Sequence, residues 1–371
     1  MSTLKVNTIN AATTGQGVAV DVQNPRSFRN LIINGGMRVA QRGTSSTTSN
    51  SYTCDRFRVK WSGTDEDLTY SQNSSLGTTG PWEKGFVNSL KVQNGNQSGG
   101  AGAADYAIIS YAVESHDIAS CAWDWTSASS YITLSYWVKS SVAQTFYWII
   151  TSEEGTTYNY PISTGSLSAN TWTKVTHSIP GNSNLTINNT TGTGLYFELV
   201  LFRGTDTTGS VTINEWATFA SGARTPDNTS TWYTTNDATF EITGVQLEPG
   251  NVATDFEHRT YADEFKRCQR YFQEISNLIA YATGSSTCNA VCSLPTPMRA
   301  TPTLTAKGTL NCQNNSTNTT QSSASTGSNA STSQSIYITG VPNFSGLTDK
   351  DPYTLSVPAN NGNTIYCSAE L

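Results

Sequence analysis

Residues 244–272 read GVQLEPGNVATDFEHRTYADEFKRCQRYF, and this stretch ends one kind of structure and opens another. Val245 and Leu247 alternate with polar neighbours, the pattern of a half-buried strand. Pro249-Gly250 stops that strand. Thr260 is a helix-capping residue, with Asp263 three positions on at the capping-box site, where Glu or Gln is commoner. Tyr261, Phe265, Cys268 and Phe272 then recur on one helical face. The stretch predicts the last strand of a β-sandwich, one short amphipathic helix, and a second β-rich unit after it.

Composition supports that reading on both sides of the junction. The chain has 371 residues, of which 36% are hydrophobic and 13% charged. Globular chains run nearer about 45–50% and 25%. Ser, Thr, Asn and Gly fill the difference, which suits thin β-domains with polar, uncharged outer faces. There are 17 Tyr, 9 Trp and only 3 Met, and long runs of helix formers are absent, so the expected fold class is all-β. The net charge of −6 disfavours a nucleic-acid partner, which needs a basic face. No apolar run is long enough to span a membrane, and the first residues lack a signal-peptide core, which points to assembly in a cytoplasm. Seven cysteines without a secretion signal argue for buried thiols rather than a disulfide framework.

The chain divides into three pieces. Residues 1–24 contain short alternating segments, with Leu4, Val6 and Ile9 in the first, and are too few to hold a core alone. They need a partner surface. Residues 25–259 carry roughly nine strand-like runs, enough for a two-sheet sandwich or jelly roll. Within them, 134–138 and 146–150 are expected to pair as a central hairpin. Residues 260–371 hold the helix and a smaller β-sandwich. From 312 to 334 the sequence has no aromatic or branched aliphatic residue, and a long exposed loop or mobile hairpin is expected there.

Three strings resemble those of tailed-phage fibre and virion structural proteins, notably from marine and cyanobacterial phages. The first is QLEPG, ATDFEHR and CQRYF at the junction. The second, LIINGGMRVAQRG at 31–43 followed by Cys54-Asp55-Arg56-Phe57, is similar to the start of their carbohydrate-binding-module-like sandwich. The third, PMRATPT at 297–303, is similar to a strand of their distal domain. The resemblance implies a virion protein. Leu4, Val6 and Ile9 would dock to other tail proteins, and the C-terminal unit would meet the host surface. Fibres of this kind are usually homotrimers, which would place Tyr261, Phe265, Cys268 and Phe272 between copies. Sandwiches of this kind also often hold a structural Ca²⁺, for which Glu248, Asp255 or Glu257 would supply oxygens.

Catalytic signals are few. His116, His177 and His258 are scattered, and no nucleophile elbow, phosphate loop or zinc motif appears. The cysteine spacing predicts no metal site. Aromatics are the better candidates, because sugars stack on Trp and Tyr while Asn, Asp and Ser reach their hydroxyls. Trp123-Asp124-Trp125 is the best local group, with Trp82, Trp232 and Tyr233 in loop-like surroundings. Trp137, Trp148, Trp172 and Trp216 fall within strand patterns and are assigned to structure. The expected function is non-enzymatic recognition of host cell-surface polysaccharide. Alternatives are a capsid or tail decoration protein, or a polysaccharide-degrading tailspike.

Overall fold

A computed structural model describes residues 29–323, 325–356 and 364–371. The docking segment with Leu4, Val6 and Ile9 lies outside the described residues. Among the described residues the fold is all-β apart from one nine-residue helix and a few shorter helical turns. The first unit is a two-sheet antiparallel sandwich. One sheet runs in the order Ser45–Ser46, Thr69–Asn73, Ser89–Gln93, Thr239–Pro249, Tyr131–Ser140, Thr173–Pro180. The other runs Ala217–Thr218, Tyr158–Ser166, Thr145–Ser152, Thr193–Arg203, Tyr106–Glu114, Arg58–Ser62, Ser51–Tyr52. Alternation decides what each strand buries. Leu134, Tyr136 and Val138 face Phe146, Trp148 and Ile150 in one core. Tyr136 meets Trp148 at 5.4 Å between ring centroids, and Phe146 meets Phe240 edge-on at 4.8 Å.

Those contacts correct the central hairpin. Tyr131–Ser140 and Thr145–Ser152 are consecutive but belong to different sheets. Both runs carry large apolar residues at every second position, and opposing them across the core lets each set bury the other. The chain turns the corner at Ser140, whose hydroxyl donates to the Val142 carbonyl at 2.7 Å.

The two outer faces of the sandwich differ. On the seven-stranded sheet, Ile108, Ile149 and Val200 form a small buried cluster. The chain after Arg203 folds back on this side, with Arg224 reaching Glu198 at 2.7 Å and the Phe219 N–H bonded to the Thr157 carbonyl. On the six-stranded sheet the outer face stays largely polar. Its strand Thr239–Pro249 slips register between Thr243 and Gln246. Gly244 sits in this bulge at φ +63°, and a Cβ there would lie 2.7 Å from the Phe86 ring. Glycine is required on both counts.

The helix spans Tyr261–Gln269, and its cap follows the sequence pattern. Thr260 Oγ1 accepts from the Asp263 N–H and donates to Asp263 Oδ2 at 2.6 Å. Two shorter helical turns, Ser115–Ser120 and Thr231–Thr234, accompany it. The second unit has a three-stranded sheet, Phe272–Ile275, Thr364–Ser368, Thr303–Lys307. Its larger sheet runs Asn318–Thr320, Asn311–Gln313, Pro352–Ser356, Asn277–Ala282, Cys288–Ser293, Ser335–Val341, Ser328–Asn329.

Two further expectations differ from this structure. The 312–334 segment stays mostly exposed and outside strands, but three short pieces of it pair with the larger sheet, one of them as a hairpin. Asn311–Gln313 and Asn318–Thr320 extend one edge, and Ser328–Asn329 pairs with Ser335–Val341 at the other. Backbone pairing needs no apolar side chain, so composition does not reveal it. The helix face is also not free to join copies. Cys268 and Phe272 are each 1% exposed. Cys268 packs with Ile33, Val39 and Tyr271 of its own chain, with Phe265 half-buried beside them. Only Tyr261, half exposed and stacked on Phe265, remains outward.

Candidate functional site

The outer face of the six-stranded sheet is set by parity. Leu134, Tyr136 and Val138 point into the core, so Ser135 and Trp137 point out. In the neighbouring strand Val175 and Ile179 are buried, so Lys174 points out beside Trp137, its register partner. Ser135, Trp137 and Lys174 make the floor of a cleft of about 310 Å³.

Two loops form its walls. One carries Glu83, Lys84 and Phe86; the other carries Thr254, Asp255, Phe256 and His258. They are joined through a hydrogen bond between His258 Nε2 and the Lys84 carbonyl at 2.8 Å. Phe86, Phe256 and His258 pack edge-on or tilted at 4.7–5.1 Å, with Phe86 seated over the Gly244 bulge. The second loop is anchored further by Thr133 Oγ1 on the Gly250 carbonyl and Ser178 Oγ on the Asn251 carbonyl. Among the described residues, Glu83, Lys84, Lys174 and Asp255 enter no ion pair. The cleft thus offers an indole, a hydroxyl, two ammonium groups and two carboxylates to a ligand. Its volume lies at the lower end of the ~300–1,000 Å³ typical of ligand sites.

The sequence-predicted aromatics fall differently. Trp123 is 2% exposed and sits in the sandwich core, its Nε1 donating to the Ser130 carbonyl. Trp125 is half-buried against that core, and Asp124 is exposed but bonded to Thr126 in its own turn. Trp123 and Trp125 therefore do not form an indole pair on one open face. Ala122 takes a left-handed conformation (φ +66°) and breaks strand alternation just before them. Trp232 and Tyr233 have no exposed surface. They lie on the Thr231–Thr234 turn, where Tyr233 stacks on Phe202 at 4.3 Å and bonds Asp105. Trp82 alone among these candidate aromatics is strongly exposed, 46% on the turn that carries Glu83 and Lys84, but it does not line the cleft.

Trp137, assigned to structure from the strand pattern, is the candidate residue that pattern conceals. A signal for it exists in YITLSYWVK: Ile132, Leu134 and Val138 share the parity of Tyr136 and leave Trp137 on the other face. Trp172 is likewise only half-buried, with Lys139 over its ring at 4.9 Å.

The three carboxylates expected to serve Ca²⁺ are not gathered as ligands. Glu248 takes Arg29 at 3.2 Å and Thr254; Glu257 takes Arg259 and the Asn30 N–H; Asp255 lines the cleft. Arg29 and Arg259 stand beside Glu248 and Glu257, whereas Asp255 has no such partner among the described residues. Among the described residues, no group of three or more His, Cys, Asp or Glu side chains is placed to hold a metal ion. None of the seven cysteines is in a disulfide, and all but Cys292 are buried.

No family model and no curated protein matches the chain. Among solved structures, the chain is similar to a putative sugar binding protein from Bacteroides thetaiotaomicron, at 12% identity and TM-score 0.33, over 60% of this chain and 100% of that one. It is also similar to the enzymatically active domain of tailspike protein 4 from bacteriophage CBA120, at 10% identity and TM-score 0.31, over 60% of this chain and 22% of that one. A family 11 carbohydrate-binding module from Clostridium thermocellum, in complex with a mixed-linked tetrasaccharide, is similar at 12% identity and TM-score 0.25, over 55% of this chain and 95% of that one. The likeness goes no further than the β-sandwich layout.

Proposed function

We propose that this protein is a non-enzymatic virion attachment protein whose six-stranded sheet binds part of a host cell-surface glycan. The observation that carries the reading is the cleft: Trp137 lies on its floor, and Glu83, Lys84, Lys174 and Asp255 around it enter no ion pair among the described residues. A sugar ring offers an apolar face for the indole and hydroxyls for Ser135, Lys174, Glu83 and Asp255. The three phage-like strings support the virion setting, with Leu4, Val6 and Ile9 docking to the tail and assembly in the host cytoplasm.

The test is binding of the purified chain to intact host cells and to their extracted polysaccharide. Trp137→Ala should weaken binding roughly tenfold or more while lowering the unfolding temperature less than truncation of a core tryptophan does. Undiminished binding by this variant would remove the cleft from consideration.

A second reading, hydrolysis of the same glycan, draws on Glu83 and Asp255, which line one cleft from two different loops. Glycosidases use two facing carboxyls. Release of reducing ends by the wild type, abolished by Glu83→Gln or Asp255→Asn, would replace the binding-only reading.

A further inference from the structure

The outer face of the seven-stranded sheet, on the side of the sandwich away from the cleft, holds a second group of polar side chains. In Arg58–Ser62, Val59 and Trp61 enter the core, so Arg58 and Lys60 point out. In Thr193–Arg203, Leu195, Phe197 and Leu199 enter the core, so Tyr196 and Glu198 point out. Tyr106–Glu114 runs between these two strands. It sets Ser110 opposite Arg58 and Ala112 opposite Tyr196, both short enough for long side chains on either hand to meet across them.

They meet at one oxygen. Arg58 Nη2 donates to the Tyr196 hydroxyl at 3.3 Å, and Lys60 Nζ donates to it at 2.8 Å. Both nitrogens can only donate, so the hydroxyl spends its lone pairs on them and keeps its own proton. Among the described residues that proton has no acceptor, and Arg58 and Lys60 enter no ion pair. Two like charges held against one oxygen repel. Glu198, the carboxylate in the Arg58–Ser110 row, is already taken by Arg203 at 2.9 Å and Arg224 at 2.7 Å. Glu153 and Glu370 are near enough to feel these charges, but neither is in ion-pair contact with Arg58 or Lys60.

A hollow of about 10 Å³ opens at this point, and Tyr52, Arg56, Arg58, Ser110 and Tyr196 line it. Arg56 is 3% exposed. It gives Nη1 to Glu370 and Nη2 to the Ala112 carbonyl, and its Nε is a buried donor without an acceptor. The hollow thus gathers N–H and O–H groups in excess of the oxygens that could receive them. It has room for about one water-sized group, too little for a sugar ring. A small, negatively charged acceptor completes it, and hydrogen bonds from cations to an oxyanion are the strong kind.

We propose that this hollow binds an oxyanion, the carboxylate or sulfate substituent of an acidic polysaccharide, between Arg58, Lys60 and Tyr196. The proposal rests on the glycan-binding reading for its ligand and adds the class of sugar. Its residues lie on the sheet opposite the cleft and share none with it.

Binding of the full chain to polygalacturonate, dextran sulfate and neutral dextran at one fixed ionic strength tests it, the first two separating a carboxylate from a sulfate. The wild type should hold one acidic polymer about tenfold or more tighter than dextran. Lys60→Gln and Tyr196→Phe should each remove most of that margin. Both keep most of the side chain's bulk, so unfolding temperatures near wild type are expected. Tyr196→Phe changes no charge, so a loss there marks a formed site and not general attraction to basic side chains. Equal binding of all three polymers by the wild type would overturn the proposal, as would a margin that survives Tyr196→Phe. With the host's own polysaccharide the two readings fail separately. Binding lost in Trp137→Ala but kept in Tyr196→Phe leaves the cleft and removes the oxyanion site, and the reverse result removes the cleft alone.

Discussion

Trp123 and Trp137 lie on one short stretch of chain and have opposite fates. Trp123 is packed in the core, so Trp123→Ala should cost about 3–5 kcal/mol in chemical denaturation. Trp137→Ala should cost less than that, because its ring is only half-buried, and should act chiefly on the ligand. If the two effects are exchanged, the assignment of faces on Tyr131–Ser140 is wrong. Parity is legible in the residues themselves, since Ile132, Leu134 and Val138 place Trp137 outward from their spacing alone. The position of Trp123 is not legible, because it depends on the left-handed Ala122, which no rule of strand alternation anticipates.

Among the elements, the strand ending at Pro249 and the capped helix after Thr260 follow directly from their sequence signals. The serine- and asparagine-rich stretch does not. Its order rests on edge pairing and on Gln321, which is 3% exposed. Gln321 Oε1 accepts from the Leu310 N–H at 3.0 Å, and Nε2 donates to the Ser325 and Pro342 carbonyls at 2.9 Å each. One amide satisfies three backbone groups on three segments. Gln321→Ala should therefore cost about 1–3 kcal/mol, more than an exposed loop residue would. Removing residues 314–333 should lower the unfolding temperature of the C-terminal unit, contrary to what composition implies. An unchanged temperature after that deletion would restore the loop reading. The arrangement of Tyr131–Ser140 and Thr145–Ser152 is illegible for another reason. Spacing shows that both strands bury alternate residues, but not whether the partner lies beside or across.

Across the whole molecule, the two units are joined by a network of charge as well as by packing. Arg270 binds both oxygens of Glu114 at 2.8 Å, and Tyr271 donates to the same carboxylate. Glu370 pairs with Arg42 at 2.9 Å and with the buried Arg56. Arg42 lies over the Phe272 ring and Arg56 over the Tyr271 ring. Burial raises the Glu114 carboxyl, but the bonds from Arg270 and Tyr271 outweigh it and hold its pKa below the usual value. A lowered folded pKa means that Glu114 contributes stability above its unfolded pKa of roughly 4.3, and loses it as pH falls through the folded value. Asp55, raised chiefly by burial, acts with the opposite sign, but it is common to both proteins in a comparison of wild type with Glu114→Gln. The gap between their unfolding temperatures should be widest near neutral pH and close on acidification. A gap that stays constant with pH would show that Glu114 acts through packing alone.

The C-terminal unit leaves the helix along Phe272–Ile275 and comes back along Thr364–Ser368, and these two strands are hydrogen-bonded neighbours, Phe272 opposite Ser368. The lobe therefore hangs by a doubled neck rather than by a single swivel. A single thread lets a lobe spin; two strands laced together, with Arg299 tied to the Thr191 carbonyl of the sandwich, resist torsion. The cleft and the larger sheet of the C-terminal unit consequently keep one bearing relative to each other. A surface that held the sandwich would therefore set the direction in which the lobe looks.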